Sequence, residues 1–373
     1  MQMRREFLMV IVILISIYVS GCCDKKDIAE GIKSSTDISN EGEEEKYEIA
    51  LVSFMGSTND NSFGQATWDG IRQYAKEHSI SYKLYQPEEA TADTYVENID
   101  LAIENGAKIV VCPGYLFETP IFIEQDKYPK VRFVLLDGQP HNASYTETRV
   151  EKNVLPILFQ EEQAGFLAGY AAVKDGYTKL GFMGGMAVPA VIRYGYGFVQ
   201  GCDFAATELG IDVEVIYHYT GTFFETPQIK TLASSWYQKG TQVIFACGGA
   251  IGNTVMSAAE NSKAKVIGVD LDQSRESETV ITSAMKMIKQ VVYNILKDHY
   301  TGSFHGGTAQ IYSVKNDGIG LPMATSKFNT FSQKNYDDIF AELKAGRISI
   351  YNKTEDSTTA DLALKSVKVI YMK

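Results

Sequence analysis

Short runs of consecutive apolar residues alternate with longer segments of helical period from Tyr47 onward. In the helical segments, apolar side chains recur every three or four residues, as at Trp68, Ile71 and Tyr74. Strands that are apolar at every position are buried on both faces, which is typical of parallel sheets covered by helices. The alternation therefore predicts an α/β fold of doubly wound parallel sheets. The predicted strands lie at residues 49–52, 109–112, 131–136, 180–183, 213–216, 243–246, 266–269 and 280–282.

A polar stretch at residues 139–152 divides the predicted strands into two sets. Each set spans about 100 to 120 residues, the ordinary size of a domain, which predicts two lobes. One more strand and a helix follow the second set, and we expect the chain to return to the first lobe there. The predicted first lobe comprises residues 47–152 and about 274–316, and the second comprises residues 153–273 and about 317–373.

The N-terminus has the features of a bacterial export signal. Two arginines precede an apolar run at residues 7–19, whose length of about 13 is too short for a membrane span of about 20. The sequence Val19-Ser20-Gly21-Cys22 that follows resembles the bacterial lipobox, in which cleavage occurs before a cysteine that carries a diacylglyceryl group. We expect residues 1–21 to be removed and Cys22 to anchor the protein to the cell membrane, facing outside the cytoplasm. A plain secretory signal and an uncleaved anchor are the alternatives.

Residues 22–46 are polar and on balance acidic, with the cluster Glu41-Gly42-Glu43-Glu44-Glu45 near their end. Their only large apolar residues are Ile28, Ile32 and Ile38, too few to pack a core. The segment therefore predicts a flexible tether between the lipid and the folded body. A short helix lying on the body is the alternative.

The charge and the cysteines exclude several classes of function. The formal net charge is -11, and basic residues are not concentrated beyond the first few positions. A nucleic-acid partner needs clustered Lys and Arg, so none is expected. Cys112, Cys202 and Cys247 have no close spacing, which supports neither a zinc site nor a redox pair and favours buried free thiols. We predict no cofactor and no metal.

Polar, glycine or aromatic residues follow most of the predicted strands. In open α/β sheets, ligands bind in the crevice beyond the carboxyl ends of the strands. Two lobes that close on a ligand can therefore supply aromatic faces and carboxylates from opposite sides. The strand-end residues are 60–63, 113–114, 137–138, 184–185, 223–225, 248–249 and 270–272.

The same segments resemble the basic membrane protein family, substrate-binding lipoproteins of ABC transporters that include purine nucleoside receptors. Residues 59–65, Asn-Asp-Asn-Ser-Phe-Gly-Gln, with Trp68 and Gly70, resemble the Asp-x-Ser-Phe-Asn-Gln…Trp-x-Gly segment of that family. Further similar segments occur in the family's order, at residues 165–170, 181–186, 221–223, 248–249, 267–273 and 282–286. The resemblance implies a hinged, two-lobed fold of the periplasmic-binding-protein type.

The resemblance also implies roles for individual residues. Phe63 and Phe223 match two aromatic rings that sandwich a planar base, because stacked rings bind a flat π-system with large contact area. Asp270 matches a carboxylate that accepts hydrogen bonds from ribose, Lys286 a lysine near the same sugar, and Asp137 an acidic residue facing the base. The predicted ligand site comprises Phe63, Asp137, Phe223, Gly248, Asp270 and Lys286.

Each of these residues also has a purely structural interpretation. Phe63 can pack as a hydrophobic staple and Asp270 can cap the helix that follows it. Asp137 before a glycine fits ordinary turn chemistry, and Lys286 can extend its ammonium group to the surface.

Four positions leave the ligand and its contacts open. Phe223 and Phe224 are adjacent, and either of them can face a cleft. Phe54 stands where the family often has Asp, and Gly64 stands where it usually has Asn. Both departures remove a hydrogen-bonding side chain, which favours a more apolar pocket or a different base or solute.

The function predicted from these observations is that of an extracytoplasmic solute-binding lipoprotein of an ABC importer. We expect it to capture a nucleoside by closing its cleft, to work with a permease and an ATPase, and to be no enzyme. The chain has no Gly-x-Ser-x-Gly elbow, no His-Glu-x-x-His and no P-loop. A sensing receptor without transport and, with less support, a nucleoside-processing enzyme are the alternatives.

Overall fold

Two mainly parallel sheets organise the computed structural model, which describes residues 46–54, 57–353 and 359–372. In chain order the strands are β1 (Ile49–Val52), β2 (Tyr82–Tyr85), β3 (Ile109–Pro113), β4 (Arg132–Leu136), β5 (Val154–Phe159), β6 (Lys179–Gly184), β7 (Val213–Tyr219), β8 (Val243–Cys247), β9 (Lys265–Asp270), β10 (Val280–Lys286), β11 (Gln310–Tyr312), β12 (Ile319–Gly320) and β13 (Val367–Tyr371). The predicted signal peptide, Cys22 and all of the predicted tether except Lys46 lie outside the described residues.

Helices of two to six turns connect most of these strands. In chain order they are α1 (Phe63–His78), α2 (Ala92–Glu104), α3 (Glu118–Lys127), α4 (Glu161–Lys174), α5 (Pro189–Leu209), α6 (Pro227–Gln238), α7 (Ile251–Ser262), α8 (Ile288–Tyr300) and α9 (Gln333–Lys344). Within the described ranges, no helix combines the length and the apolar character that crossing a membrane requires.

The strand order in the first sheet is β11-β5-β4-β3-β1-β2, and in the second it is β12-β10-β9-β8-β6-β7-β13. Each pairing is parallel except that of β12 with β10. All residues of β1, β3 and β8 are buried, as expected of central strands covered on both faces. The predicted α/β class with two doubly wound lobes is confirmed.

The chain changes lobes at different points from those predicted. The predicted first lobe ends at residue 152, but β5 pairs with β4 in the first sheet. Conversely, β10 falls in a segment predicted for the first lobe, yet it pairs with β9 in the second sheet. The polar stretch at 139–152 is a loop ahead of β5, closed by a bridge between His141 and Thr148. An apolar run indicates a strand but does not indicate the sheet in which that strand pairs. The predicted and observed lobe boundaries differ for this reason.

The chain therefore passes between the sheets in three places, after β5, after β10 and before β12. After β10, helix α8 packs on α1. The contact is close at Gly70, where an added β-carbon would lie 3.0 Å from the β-carbon of Val292. These crossings bring the ends of β5 and β10 next to each other at the base of the cleft between the lobes.

Four glycines let α4 and α5 approach backbone to backbone. A β-carbon at Gly165 would lie 2.2 Å from the carbonyl oxygen of Tyr194, and one at Gly197 would lie 1.9 Å from that of Glu162. Gly169 and Gly201 repeat the arrangement one turn further along each helix, with distances of 2.2 and 2.0 Å. The contact fixes α5 against α4, and both helices contribute side chains to the site described below.

The free cysteines are buried, as predicted for thiols without partners. Cys112, Cys202 and Cys247 are each fully enclosed, and burial raises the pKa of all three thiols.

Candidate ligand-binding cleft

A cavity lies where the carboxyl ends of the two sheets face each other. It encloses about 740 Å3 of non-protein space, part of it continuous with solvent. Of the predicted site residues, those that line it are Phe63, Asp137, Phe223, Asp270 and Lys286. Gly248 lies behind the wall with its backbone against Gly185, and its neighbour Gly249 lines the cavity instead.

Three phenylalanines line the cavity, Phe54 and Phe63 from the first lobe and Phe223 from the second. Phe63 is the first residue of α1, and Phe223 lies in the loop between β7 and α6. The Phe223 ring packs on Gly185, where an added β-carbon would be 2.4 Å from the ring. Phe224 turns away from the cavity and is 60 % exposed. Of the two adjacent candidates, Phe223 is therefore the one in the cavity wall.

Asp270 ends β9 and joins the two lobes through hydrogen bonds. Its carboxylate accepts one bond from the Ser62 hydroxyl at 2.6 Å and another from the Tyr194 hydroxyl at 3.2 Å. Its backbone has a φ of +63°, a left-handed conformation that Asp tolerates better than most residues. Burial raises the pKa of Asp270, partly offset by the positive charge of Lys286.

Asp137 follows β4 on the opposite lobe and forms an ion pair with Lys286 through one carboxylate oxygen. Its other oxygen, Oδ1, is buried and has no hydrogen-bond partner among the described residues. Its φ of +55° is also left-handed, so β4 of the first sheet and β9 of the second each end at an aspartate with the same backbone conformation. Burial raises the pKa of Asp137, and Lys286 limits the rise.

Lys286 is the last residue of β10, and its side chain is almost completely buried, with 1 % exposed. Its ammonium group contacts Glu161 at 2.9 Å, and Glu161 in turn accepts a bond from Arg193 Nε at 2.5 Å. The ammonium also lies 5.0 Å from the centre of the Phe63 ring. Lys286 therefore does not extend to the surface, because its charge is neutralised inside the protein.

The directions in which the pKa values of Lys286 and Glu161 shift follow from the opposite charges beside each group. Burial alone would lower the pKa of Lys286, but the carboxylates of Asp137, Glu161 and Asp270 together raise it. Burial alone would raise the pKa of Glu161, but Lys286 and Arg193 hold it below its ordinary value. The base of the cleft thus holds a buried chain of ions, which we call the hinge ion chain: Asp137, Lys286, Glu161 and Arg193.

Three polar contributors to the cleft are absent from the predicted site. Glu161 directly follows β5, so the strand-end rule would have found it had that strand been recognised. Arg193 and Tyr194 lie inside α5, where nothing in the local pattern separates them from an ordinary buried helix face.

Asp60 closes the start of α1 and lines the same cavity. Its carboxylate accepts hydrogen bonds from the backbone N–H groups of Ser62 at 2.8 Å, Gly64 at 3.1 Å and Gln65 at 3.2 Å. These donors would otherwise be unpaired at a helix start. Burial nevertheless raises the pKa of Asp60 to about 6, against the lowering effect of the three bonds.

We expect the substitution Asp60→Asn to remove a pH dependence of stability. A carboxyl whose pKa is raised on folding contributes stability that is present below pH 4 and lost as the pH rises through 6. The shift corresponds to roughly 3 kcal/mol. Between pH 7 and pH 4, the free energy of unfolding of the unsubstituted protein should therefore rise by about that amount relative to the variant. Urea unfolding of both proteins without ligand measures the difference; Asp69→Asn on the same helix is the control, and identical profiles would contradict the assignment.

Further contacts cross the cleft beside Asp60. Gln273 donates from Nε2 to the backbone oxygen of Asn61 at 2.6 Å, and Asn61 donates from Nδ2 to Glu276 at 3.0 Å. Asn61 precedes α1 of the first lobe, whereas Gln273 and Glu276 follow β9 of the second. Together with the bond between Ser62 and Asp270, these contacts hold the lobes together on one side of the cavity.

This geometry can be compared with known proteins. The sequence model of the Bmp family, described as ABC transporter substrate-binding protein PnrA-like, matches residues 47–358. The chain belongs to the Bmp family. The resemblance to basic membrane proteins and the class of substrate-binding function are thereby confirmed.

Curated relatives agree with membership of the Bmp family. The ABC transporter nucleoside-binding protein BmpA of Lactococcus lactis is 30 % identical over 329 residues, covering 82 % of this chain and 89 % of that protein. Basic membrane protein D of Borreliella burgdorferi is 29 % identical, covering 84 % of this chain and 88 % of its own.

A solved structure agrees with the fold. A solute-binding protein of an ABC transporter system from Aeropyrum pernix superimposes with a TM-score of 0.71 at 22 % identity, covering 83 % of this chain and 94 % of its own. At this identity the likeness establishes the two-lobed fold alone.

Proposed function

We propose that this Bmp-family protein captures a nucleoside in the cleft between its lobes and delivers it unchanged to an ABC permease and its ATPase. Cys22 would carry the lipid that holds the folded body at the outer face of the cell membrane. The printed function of the Lactococcus relative, nucleoside binding, supports the ligand class. The family's role in ABC transport supports the partners.

The observation that carries the proposal is the pairing of aromatic and acidic groups in one cavity. Phe63 and Phe223 offer ring faces from opposite lobes, which suits a flat heterocyclic base. Asp137 and Asp270 offer carboxylates, which suit the hydroxyls of a sugar or the N–H groups of a base. Oδ1 of Asp137, which has no hydrogen-bond partner in the described part of the chain, is a buried acceptor that a ligand donor would satisfy.

Closure follows from the distribution of these groups. The first lobe supplies Phe63, Asp60 and Asp137, and the second supplies Phe223 and Asp270, so a ligand contacts its full set of partners only when the lobes meet. Binding therefore shifts the population toward the closed state. A permease that recognises the closed form would respond only to loaded protein.

We expect Phe223→Ala to weaken nucleoside binding by about 5- to 100-fold, because stacking of one base on an aromatic ring is worth about 1–3 kcal/mol. Calorimetry of the purified protein against purine and pyrimidine nucleosides measures the effect. Phe224→Ala is the matched control and should leave the dissociation constants of these unsubstituted nucleosides within about twofold. No heat with any nucleoside would overturn the ligand assignment. Recovery of an altered nucleoside after incubation would favour an enzyme.

We expect Cys22→Ser to abolish lipid attachment and release the protein from the membrane. The physical reason is that acyl chains supply the membrane affinity, at about 0.8 kcal/mol for each buried CH2 group. Labelling of growing cells with a radioactive fatty acid, followed by membrane fractionation, measures both effects. A labelled variant, or an unlabelled but membrane-bound one, would contradict the anchor, and Cys23→Ser is the control.

A further inference from the structure

An apolar groove continues the ligand cavity outward between the two lobes. It shares five residues of the cavity wall and encloses about 1,200 Å3 of non-protein space, including open solvent. We call it the outer groove and define it by Ala90, Leu116, Met186 and Phe224, in addition to the shared residues. The shared residues are Phe54, Pro113, Gly114, Tyr115 and Phe223.

The two ends of the combined cleft differ sharply in polarity. The charged groups of the cavity, Asp60, Asp137, Asp270 and Lys286, belong to its wall alone and line no part of the outer groove. Among the described residues that line the groove, Glu88 is the one that carries a charge, and it is exposed. A ligand that fills both spaces is therefore polar at the hinge end and apolar at the outer end.

Three backbone N–H groups of the groove wall are already paired. The N–H of Gly114 donates to the carbonyl of Leu136 at 2.8 Å, and that of Gly221 donates to Gly185 at 3.1 Å. The N–H of Phe224 donates to the Thr222 hydroxyl at 3.1 Å. A polar occupant would lose its bound water without gaining these partners, whereas an apolar one loses nothing.

Phe224 and Phe54 give such an occupant specific contacts. Phe224 is 60 % exposed and stands on the second lobe, opposite Leu116 of the first. Phe54 lies at the junction of the two spaces and lines both of them. An apolar group in the groove would cover exposed apolar surface on both lobes at once, which adds to the preference for the closed state.

We propose that the cleft selects nucleosides whose base carries an apolar substituent, with the substituent in the outer groove and the sugar at the hinge end. This substrate class rests on the proposed nucleoside function. It makes Phe224, Leu116 and Phe54 specificity-determining residues. The side chain of Phe54 makes the passage between the two spaces apolar.

Calorimetry with two matched pairs of probes tests the proposal on the full chain: adenosine with N6-benzyladenosine, and uridine with 5-phenyluridine. We expect at least one aryl derivative to bind about tenfold or more tightly than its parent, because an apolar group of this size fills a hydrophobic pocket. Phe224→Ala should remove most of that gain, measured as the ratio of the two dissociation constants within the variant. Leu209→Ala, which truncates a similarly exposed apolar residue outside the cleft, is the control.

The possible failures are distinguishable. If a parent nucleoside binds but neither derivative binds more tightly, the groove does not receive a base substituent and the inference is overturned, while the proposed function stands. A gain that survives in the Phe224→Ala variant overturns it as well. If neither parents nor derivatives bind, the nucleoside assignment itself fails, and the inference falls with it.

Discussion

Replacing Lys286 by methionine should lower the free energy of unfolding by about 3–5 kcal/mol at pH 8. The substitution leaves Asp137 without its ion-pair partner, and it leaves Glu161 with Arg193 alone. A buried carboxylate without a counter-charge keeps its full cost of desolvation, which explains why the loss exceeds that of a surface pair. Urea unfolding followed by circular dichroism measures the change, and Lys289→Met on the exposed face of α8 is the control.

The pH dependence of this loss distinguishes an electrostatic cause from lost packing. Burial raises the pKa of Asp137, and removal of Lys286 takes away the charge that limits the rise. A carboxyl with a raised pKa stabilises the folded state at low pH and ceases to do so as the pH rises. The defect of Lys286→Met should therefore shrink as the pH falls from 8 to 5. Addition of Asp137→Asn should recover part of the stability at pH 8, and a defect of equal size at all pH values would contradict the assignment.

Replacing Gly197 by alanine should cost about 3 kcal/mol or more, although alanine is the better helix former. The new methyl group would meet the carbonyl oxygen of Glu162 at 1.9 Å, and neither backbone can yield without separating α4 from α5. Because Glu161 begins α4 and Arg193 and Tyr194 belong to α5, the same separation should also weaken ligand binding. Thermal unfolding and calorimetry on one preparation measure the two effects together.

The matched control for that prediction is Gly252→Ala in α7. A β-carbon at Gly252 would have its nearest neighbour 3.8 Å away, which is ordinary van der Waals contact. We expect its stability to be unchanged or raised by up to about 1 kcal/mol, the difference in helix propensity. Equal destabilisation by the two substitutions would mean that the approach of α4 and α5 is not what limits residue size at Gly197.

The strand pattern predicted much of this architecture because parallel sheets leave a local signature. Asp137 and Asp270 could be selected from sequence because each directly follows an apolar strand, and in such sheets the strand ends meet at one edge. The choice between Phe223 and Phe224 could not be made in this way. It depends on Gly185, which is distant in sequence and leaves room for only one of the two rings.

Two members of the hinge ion chain, Glu161 and Arg193, were not predicted from the sequence. Glu161 follows β5, a strand absent from the predicted set, in a segment that was assigned to the second lobe because it comes after the polar stretch. Arg193 belongs to the hinge ion chain only because glycines bring α5 against α4. The glycine pattern of one helix does not indicate which helix packs against it. Whether Glu161 and Arg193 belong to the site therefore depends on contacts between segments distant in sequence, and not on the composition of either segment alone.

The pair of Asp137 and Lys286 has a different consequence when the lobes part than when one of its members is removed. Substitution of the lysine leaves a buried carboxylate without a counter-charge. Separation of the lobes, by contrast, exposes both charges to water at the same time. Hydration then replaces most of the attraction that is lost, since burial of an ion pair returns little net free energy. Breaking this contact by substitution therefore costs much free energy, whereas breaking it by the lobe motion that releases a solute costs little.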